Sequence, residues 1–145
     1  MEQSLVKKIQ GKLDLSNLDP KSYSPLGLAY IGDAIYEIII RTIVLADGNM
    51  SVNKYHKKSS SMAKASAQAA LYKKIEKNLT EEEVAVYKRG RNAKSGTIAK
   101  NASMMDYRKA TGFEALMGYL YLNGQMDRLI ELVGKGFDLG EKHES

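Results

Sequence analysis

The sequence predicts an all-α fold, and three observations carry that prediction. Apolar residues recur at three- and four-residue intervals through long segments, the spacing that lines one side of a helix. Only two prolines, Pro20 and Pro25, occur among 145 residues of which 43% are hydrophobic, so helices can run uninterrupted. No segment alternates polar and apolar residues between regularly spaced turns, as half-buried strands do.

Taken in order, residues 4–12 predict a short helix and 17–24 a loop. Ser24 followed by Pro25 reads as an N-cap and a first-turn proline. They open a long helix over 26–44, closed by the turn Asp47-Gly48-Asn49. Residues 52–77 form a second helical region, rich in alanine between Met62 and Ala70. Thr80 and Glu83 have capping-box spacing, so a third helix starts there and runs to about Arg89. Further helices cover 107–123 and 126–133, after which Gly134 and Gly136 loosen the tail. A single domain is expected, with its core over 24–133 and a short flexible C-terminal tail.

Composition narrows the chemistry. Without cysteine there is neither a disulfide framework nor a thiolate metal site. The first 25 residues hold no apolar run of signal-peptide length, which argues against secretion. The net charge is +5, and the excess is clustered. Residues 88–100 carry five basic side chains and no acid, and residues 54–64 carry four lysines and His56 without an acid. Such clusters suit a polyanionic partner, because neutralising phosphates releases condensed counterions. Neither His56 nor His143 has a nucleophile or acid arranged around it, and no phosphate loop is present.

Segment 26–44 is apolar on every side apart from Asp33, Glu37 and Arg41, spaced four apart in one slanting stripe. A helix of that kind is expected in the interior, where charges must be paired, metal-bound or turned to a cleft. The three charges also argue against a membrane span. Glu37 and Arg41 can pair one turn apart. Asp33 follows Gly32, and a glycine there lets another backbone or a ligand approach closely. Segment 110–122 repeats the situation, with Glu114 its only charge and Gly112 and Gly118 permitting close helix packing. Two lone acids on two apolar helices suit a hard divalent cation such as magnesium, held by oxygen ligands alone. Structural pairing with a lysine or arginine is the competing account of each acid.

The motif Tyr30-Ile31-Gly32-Asp33-Ala34 resembles the one that opens the active-site helix of ribonuclease III catalytic domains. Phe113-Glu114-Ala115-Leu116-Met117-Gly118 is similar to that family's second carboxylate motif. With 89–95 (RGRNAKS) and 106–112 (DYRKATG), the resemblance spans 24–132 and is closest to the Mini-ribonuclease III subfamily, a catalytic domain without a double-stranded RNA-binding domain. It implies a helical endonuclease domain acting as a symmetric homodimer. It also implies a magnesium-dependent endoribonuclease, with manganese as a substitute ion, that cuts double-stranded RNA to leave 5′-phosphate and 3′-hydroxyl ends. The implied setting is maturation of large-subunit (23S) ribosomal RNA in the cytoplasm, away from membranes, with a ribosomal protein as a further partner. By the same resemblance Asp33 and Glu114 are the catalytic, metal-binding residues.

Two positions depart from the family pattern. Ala29 stands where a glutamate is usual, and Thr111 where an aspartate is usual. Either the cation relies more on water and phosphate, or Glu37 or Asp106 substitutes. A catalytically weak ribonuclease III-like protein that binds RNA or ribosomal components is the alternative these departures favour. Arg89, Arg91, Lys94 and Lys100 are expected to meet RNA phosphates, with Asn92 and Ser95 donating to sugar hydroxyls and Lys57 and Lys58 contributing more weakly. The dimer interface is expected at Leu26, Leu28, Tyr30 and Ile31.

Overall fold

A computed structural model describes residues 3–93 and 103–140. Every regular element among them is helical. The helices are α1 (Leu5–Leu13), α2 (Pro25–Leu45), α3 (Val52–Ala63), α4 (Ala65–Ile75), α5 (Glu81–Asn92), α6 (Met104–Leu122) and α7 (Met126–Gly136). Short 3₁₀ turns occupy Pro20–Ser22 and Glu76–Asn78. No described helix is long and apolar enough to cross a membrane.

Several boundaries follow from side chains the sequence displays. Ser24 accepts a hydrogen bond from the Gly27 amide at 3.0 Å, with Pro25 in the first helical position of α2. Thr80 and Glu83 form the capping box of α5, each side chain bonded to the other's backbone N–H. Other boundaries differ from expectation. Segment 52–77 is two helices, because Lys64 adopts extended backbone between α3 and α4. α5 runs to Asn92 and α6 starts at Met104, three residues beyond and before the expected limits. Gly134 and Gly136 do not loosen a tail; both lie inside α7. An ideal Cβ on Gly136 would come within 2.5 Å of Leu71, so this glycine lets α7 settle on α4.

α6 is the central element, packed against α2, α4, α5 and α7. Phe113, Ala115, Leu116, Met117 and Leu120 on it are wholly buried. Burying one large apolar side chain stabilises by roughly 1.5–3 kcal/mol, so this helix anchors the core. At the rim, Arg128 of α7 binds both carboxylate oxygens of Glu83, at 2.8 and 2.9 Å, and the Asn78 carbonyl at 2.8 Å. These hydrogen bonds outweigh burial and hold the Glu83 carboxyl below its ordinary range.

The expectation that α2 is interior holds for one side only. Leu28, Ile35, Tyr36 and Ile40 are buried, whereas Tyr30 is 81% exposed and Ile38 58% exposed. Asp33 is exposed too. Leu26 and Tyr30, expected at a dimer interface, are exposed on the single chain, while Val44 farther along the helix is buried. Leu28 moves the other way. It packs inside the chain's own core, its carbonyl lying against Gly118.

The α2–α6 crossing is closest at two glycines. An ideal Cβ on Gly32 would stand 1.8 Å from the Glu114 carbonyl oxygen, and one on Gly118 would stand 1.9 Å from the Leu28 carbonyl oxygen. Both obstacles are backbone, so no side chain can swing aside. Gly118→Ala should therefore destabilise by about 3 kcal/mol or more, despite alanine's better helix propensity. Gly11→Ala on α1, where nothing lies within 4 Å, should be neutral or stabilise by up to about 1 kcal/mol. Urea unfolding of both variants measures the contrast.

Candidate active site

The glycine crossing fixes where the two acids stand. Gly32 rests on the backbone of Glu114, so Asp33, the next residue on α2, emerges beside the Glu114 side chain. The two carboxyl groups interact directly, through charge and as hydrogen-bonding partners. Asp33 is exposed and Glu114 half-buried, so the pair opens to solvent on the α2 side. Neither acid is in an ion pair with a described lysine or arginine.

A third side chain completes the arrangement. Gln68 of α4 is 2% exposed, and its Nε2 donates to Glu114 Oε2 at 3.0 Å and to the Ala63 carbonyl at 2.8 Å. Tyr36 closes the floor, donating to the Met62 carbonyl at 2.8 Å while its ring meets Phe113 edge-on at 5.2 Å. Burial, with Glu37 and Glu114 nearby, raises the Tyr36 phenol well above its usual value, so it stays neutral. Burial raises the Glu114 carboxyl most; the Gln68 hydrogen bond opposes it, Asp33 reinforces it, and the result lies at about 8. A carboxyl raised this far by desolvation and a like-charged neighbour is a mark of functional sites.

The other expected ligands stand elsewhere. Glu37 pairs with Arg41 at 2.7 Å, as the one-turn spacing allowed. Asp106 lies in the first turn of α6, two turns before Glu114, its amide donating to Ser103 Oγ. Among the described residues no three histidine, aspartate or glutamate side chains gather, so Glu37 and Asp106 form no three-acid cluster with Asp33 and Glu114. Ala29 is buried in the core, and Thr111 Oγ1 donates to the Tyr107 carbonyl one turn back. An oxygen-only pair still fits magnesium, which binds through one or two carboxylates and completes its shell with water and phosphate oxygens.

The expected RNA contacts are dispersed. Arg89 influences Tyr119, which donates to Glu82 on the outer side of α5. Arg91 instead lies over the Tyr87 ring, 5.8 Å from its centroid, within cation–π range. Lys57 is exposed, and Lys58 stands 3.8 Å from Asp47. Asn92, the last residue of α5, accepts from Arg91 Nε at 3.2 Å. Lys94, Ser95 and Lys100 lie outside the described residues. Sequence reasoning missed a groove of about 460 Å³ where Lys73, Lys88 and Lys109 join Arg91 beside the stacked rings of Tyr72 and Tyr87. It also missed Gln68, whose only trace is one long polar residue in an alanine-rich run.

The ribonuclease III domain model matches residues 26–125, a span that contains both acids and both crossing glycines. The chain belongs to the ribonuclease III domain family. It is an endoribonuclease of that type. A Mini-ribonuclease 3 of Clostridium tetani is 50% identical over 130 residues, covering 89% of this chain and 86% of the relative. One from Brevibacillus brevis is 47% identical, covering 85% and 92% respectively. The crystal structure of a Fusobacterium nucleatum protein superposes with a TM-score of 0.75 at 32% identity, covering 83% of this chain and 96% of that one. Ribonuclease III enzymes depend on divalent metal ions, in keeping with paired carboxylates open to solvent.

A pH test isolates the acid pair. A carboxyl whose folded pKa is raised contributes stability at low pH that is lost as pH rises through the folded value. In chelator, the wild type should thus lose stability between about pH 4.5 and about pH 8. Glu114→Gln should flatten that slope and be the more stable protein at pH 9. Thermal melts across this range give the answer; parallel curves for the two proteins would count against a raised carboxyl.

Proposed function

We propose that this chain is a magnesium-dependent endonuclease for double-stranded RNA, acting in maturation of 23S ribosomal RNA in the cytoplasm. The observation that supports it most directly is the convergence of Asp33 and Glu114 at the glycine crossing, with neither in an ion pair with a described lysine or arginine. These two carboxylates would hold the cation. When bound, it neutralises charge on the phosphodiester and lowers the pKa of the attacking water. Attack breaks the bond from phosphorus to the 3′ oxygen, leaving a 5′-phosphate and a 3′-hydroxyl. Asp33, being exposed, faces the incoming strand, while half-buried Glu114 supplies the fixed side of the site. Manganese, similar in its oxygen ligation, would substitute.

In this reading the catalytic domain grips the duplex by its shape and phosphate spacing. Arg91, Lys73, Lys88 and Lys109 form no ion pair with a described residue and are assigned to phosphates, alongside Lys94 and Lys100. A ribosomal protein bound near the same RNA remains part of this reading. The deciding assay uses a long RNA duplex with magnesium. Asp33→Asn and Glu114→Gln should each lower cleavage by about a hundredfold or more. Wild-type rates in both would refute the site. A wild type that binds the duplex without cutting it would favour the RNA-binding alternative that Ala29 and Thr111 suggest.

The exposed stripe of α2 supports a symmetric homodimer. Leu26, 39% exposed, and Tyr30, 81% exposed, lie one turn apart beside Asp33, with half-buried Ile31 at their edge. Leu28 is excluded, since the chain's own core occupies it. An isologous contact here would place the acid pairs of two protomers on one surface, one for each strand. Sedimentation at micromolar concentration should show a dimer for the wild type and a monomer for Tyr30→Asp. A monomeric wild type would sink the interface.

A further inference from the structure

The break between α3 and α4 has a use beyond turning the chain. At a helix end the last carbonyls lose their intrahelical donors. Here the Met62 carbonyl takes the Tyr36 hydroxyl and the Ala63 carbonyl takes Gln68 Nε2. The second of these bonds settles which way the Gln68 amide faces. Were the amide reversed, its oxygen would confront the Ala63 carbonyl and the Glu114 carboxylate together. Donor-inward is therefore the only orientation that satisfies both neighbours. The same nitrogen reaches Glu114 Oε2, which commits one oxygen of the carboxyl that stands beside Asp33. The Gln68 carbonyl oxygen is buried and meets no donor among the described residues. Buried polar atoms are almost always paired, and one left over beside a catalytic pair is a feature to explain.

We propose that Gln68 is a positioning residue: the helix break holds its amide, and the amide holds Glu114 in the orientation that receives the cation. This inference rests on the reading of Asp33 and Glu114 as the cation site. A neutral donor suits the task. It fixes one carboxylate oxygen without cancelling the charge the cation needs, which a lysine or arginine in its place would do. Outer partners of metal-ligating side chains are commonly worth ten- to a hundredfold in affinity.

The test measures cation binding to the full chain without RNA. Gln68→Met keeps length and volume but removes the donor, and Gln68→Glu keeps shape but presents an acceptor. By calorimetry with Mn²⁺, both should bind about tenfold or more weakly than wild type, with Gln68→Met, which adds no second acceptor, keeping the folded state in thermal melts. In the wild type, the Gln68 side-chain amide resonance should shift as Mg²⁺ is added. Folded variants that bind Mn²⁺ as tightly as wild type would overturn the proposal. If the variants do not fold, an unmoved Gln68 amide in the wild type overturns it equally. A wild type that binds no Mn²⁺ would instead refute the functional reading beneath it, a result distinguishable from loss in the variants alone.

Discussion

Everything at this site depends on how closely α2 approaches α6. Two helices bearing ordinary side chains at their contact stand 8–10 Å apart, and acids on them then meet only by reaching. Gly32 and Gly118 remove that spacing. Backbone touches backbone, and the residues on either side of the contact are set by the rigid helices rather than by flexible side chains. Gly90 and Gly112 do the same for α5 on α6, where an added Cβ on either would crowd the partner helix below 3.0 Å. The central helix is thus gripped from two directions by glycines. Its apolar residues supply the stability, and its glycines supply the geometry.

The chemistry of Glu114 follows from that geometry. A carboxyl pressed into the α2–α6 seam loses water, which raises its pKa, and the neighbouring Asp33 raises it further. Among the described residues, Gln68 alone works in the other direction, by a hydrogen bond that favours the charged form. Under the proposed function, a divalent cation would relieve this tension, since it favours ionisation of both acids at once. Like-charge repulsion between the two acids, a cost on its own, is what a doubly charged ion would offset.

Much of this was legible from residues, within definite limits. Ser24-Pro25 and Thr80 with Glu83 announced two helix starts because capping is local chemistry, and both bonds are present. Gly32 and Gly118 could be read as points of close approach, though not as partners in one crossing. The break at Lys64 was not legible, since no glycine or proline marks it and extended backbone there costs a lysine nothing. Which side of α2 the chain's own core covers was not legible, because periodicity counts apolar residues without knowing which surface covers them. Leu28 and Tyr30 are equally apolar in the sequence, yet one is buried and the other is 81% exposed. Gln68 escaped notice because its role arises from two contacts, one of them 46 residues away.

The Glu83 carboxylate shows how one group can tie distant parts of the chain into a single event. It closes the first turn of α5, and through Arg128 it holds α7 and the carbonyl that ends the preceding 3₁₀ turn. Fraying at the start of α5 therefore frees a guanidinium on another helix, and lifting α7 strips α5 of its cap. Neither end can melt alone at low cost, so amide exchange in these two places should share one opening free energy rather than two.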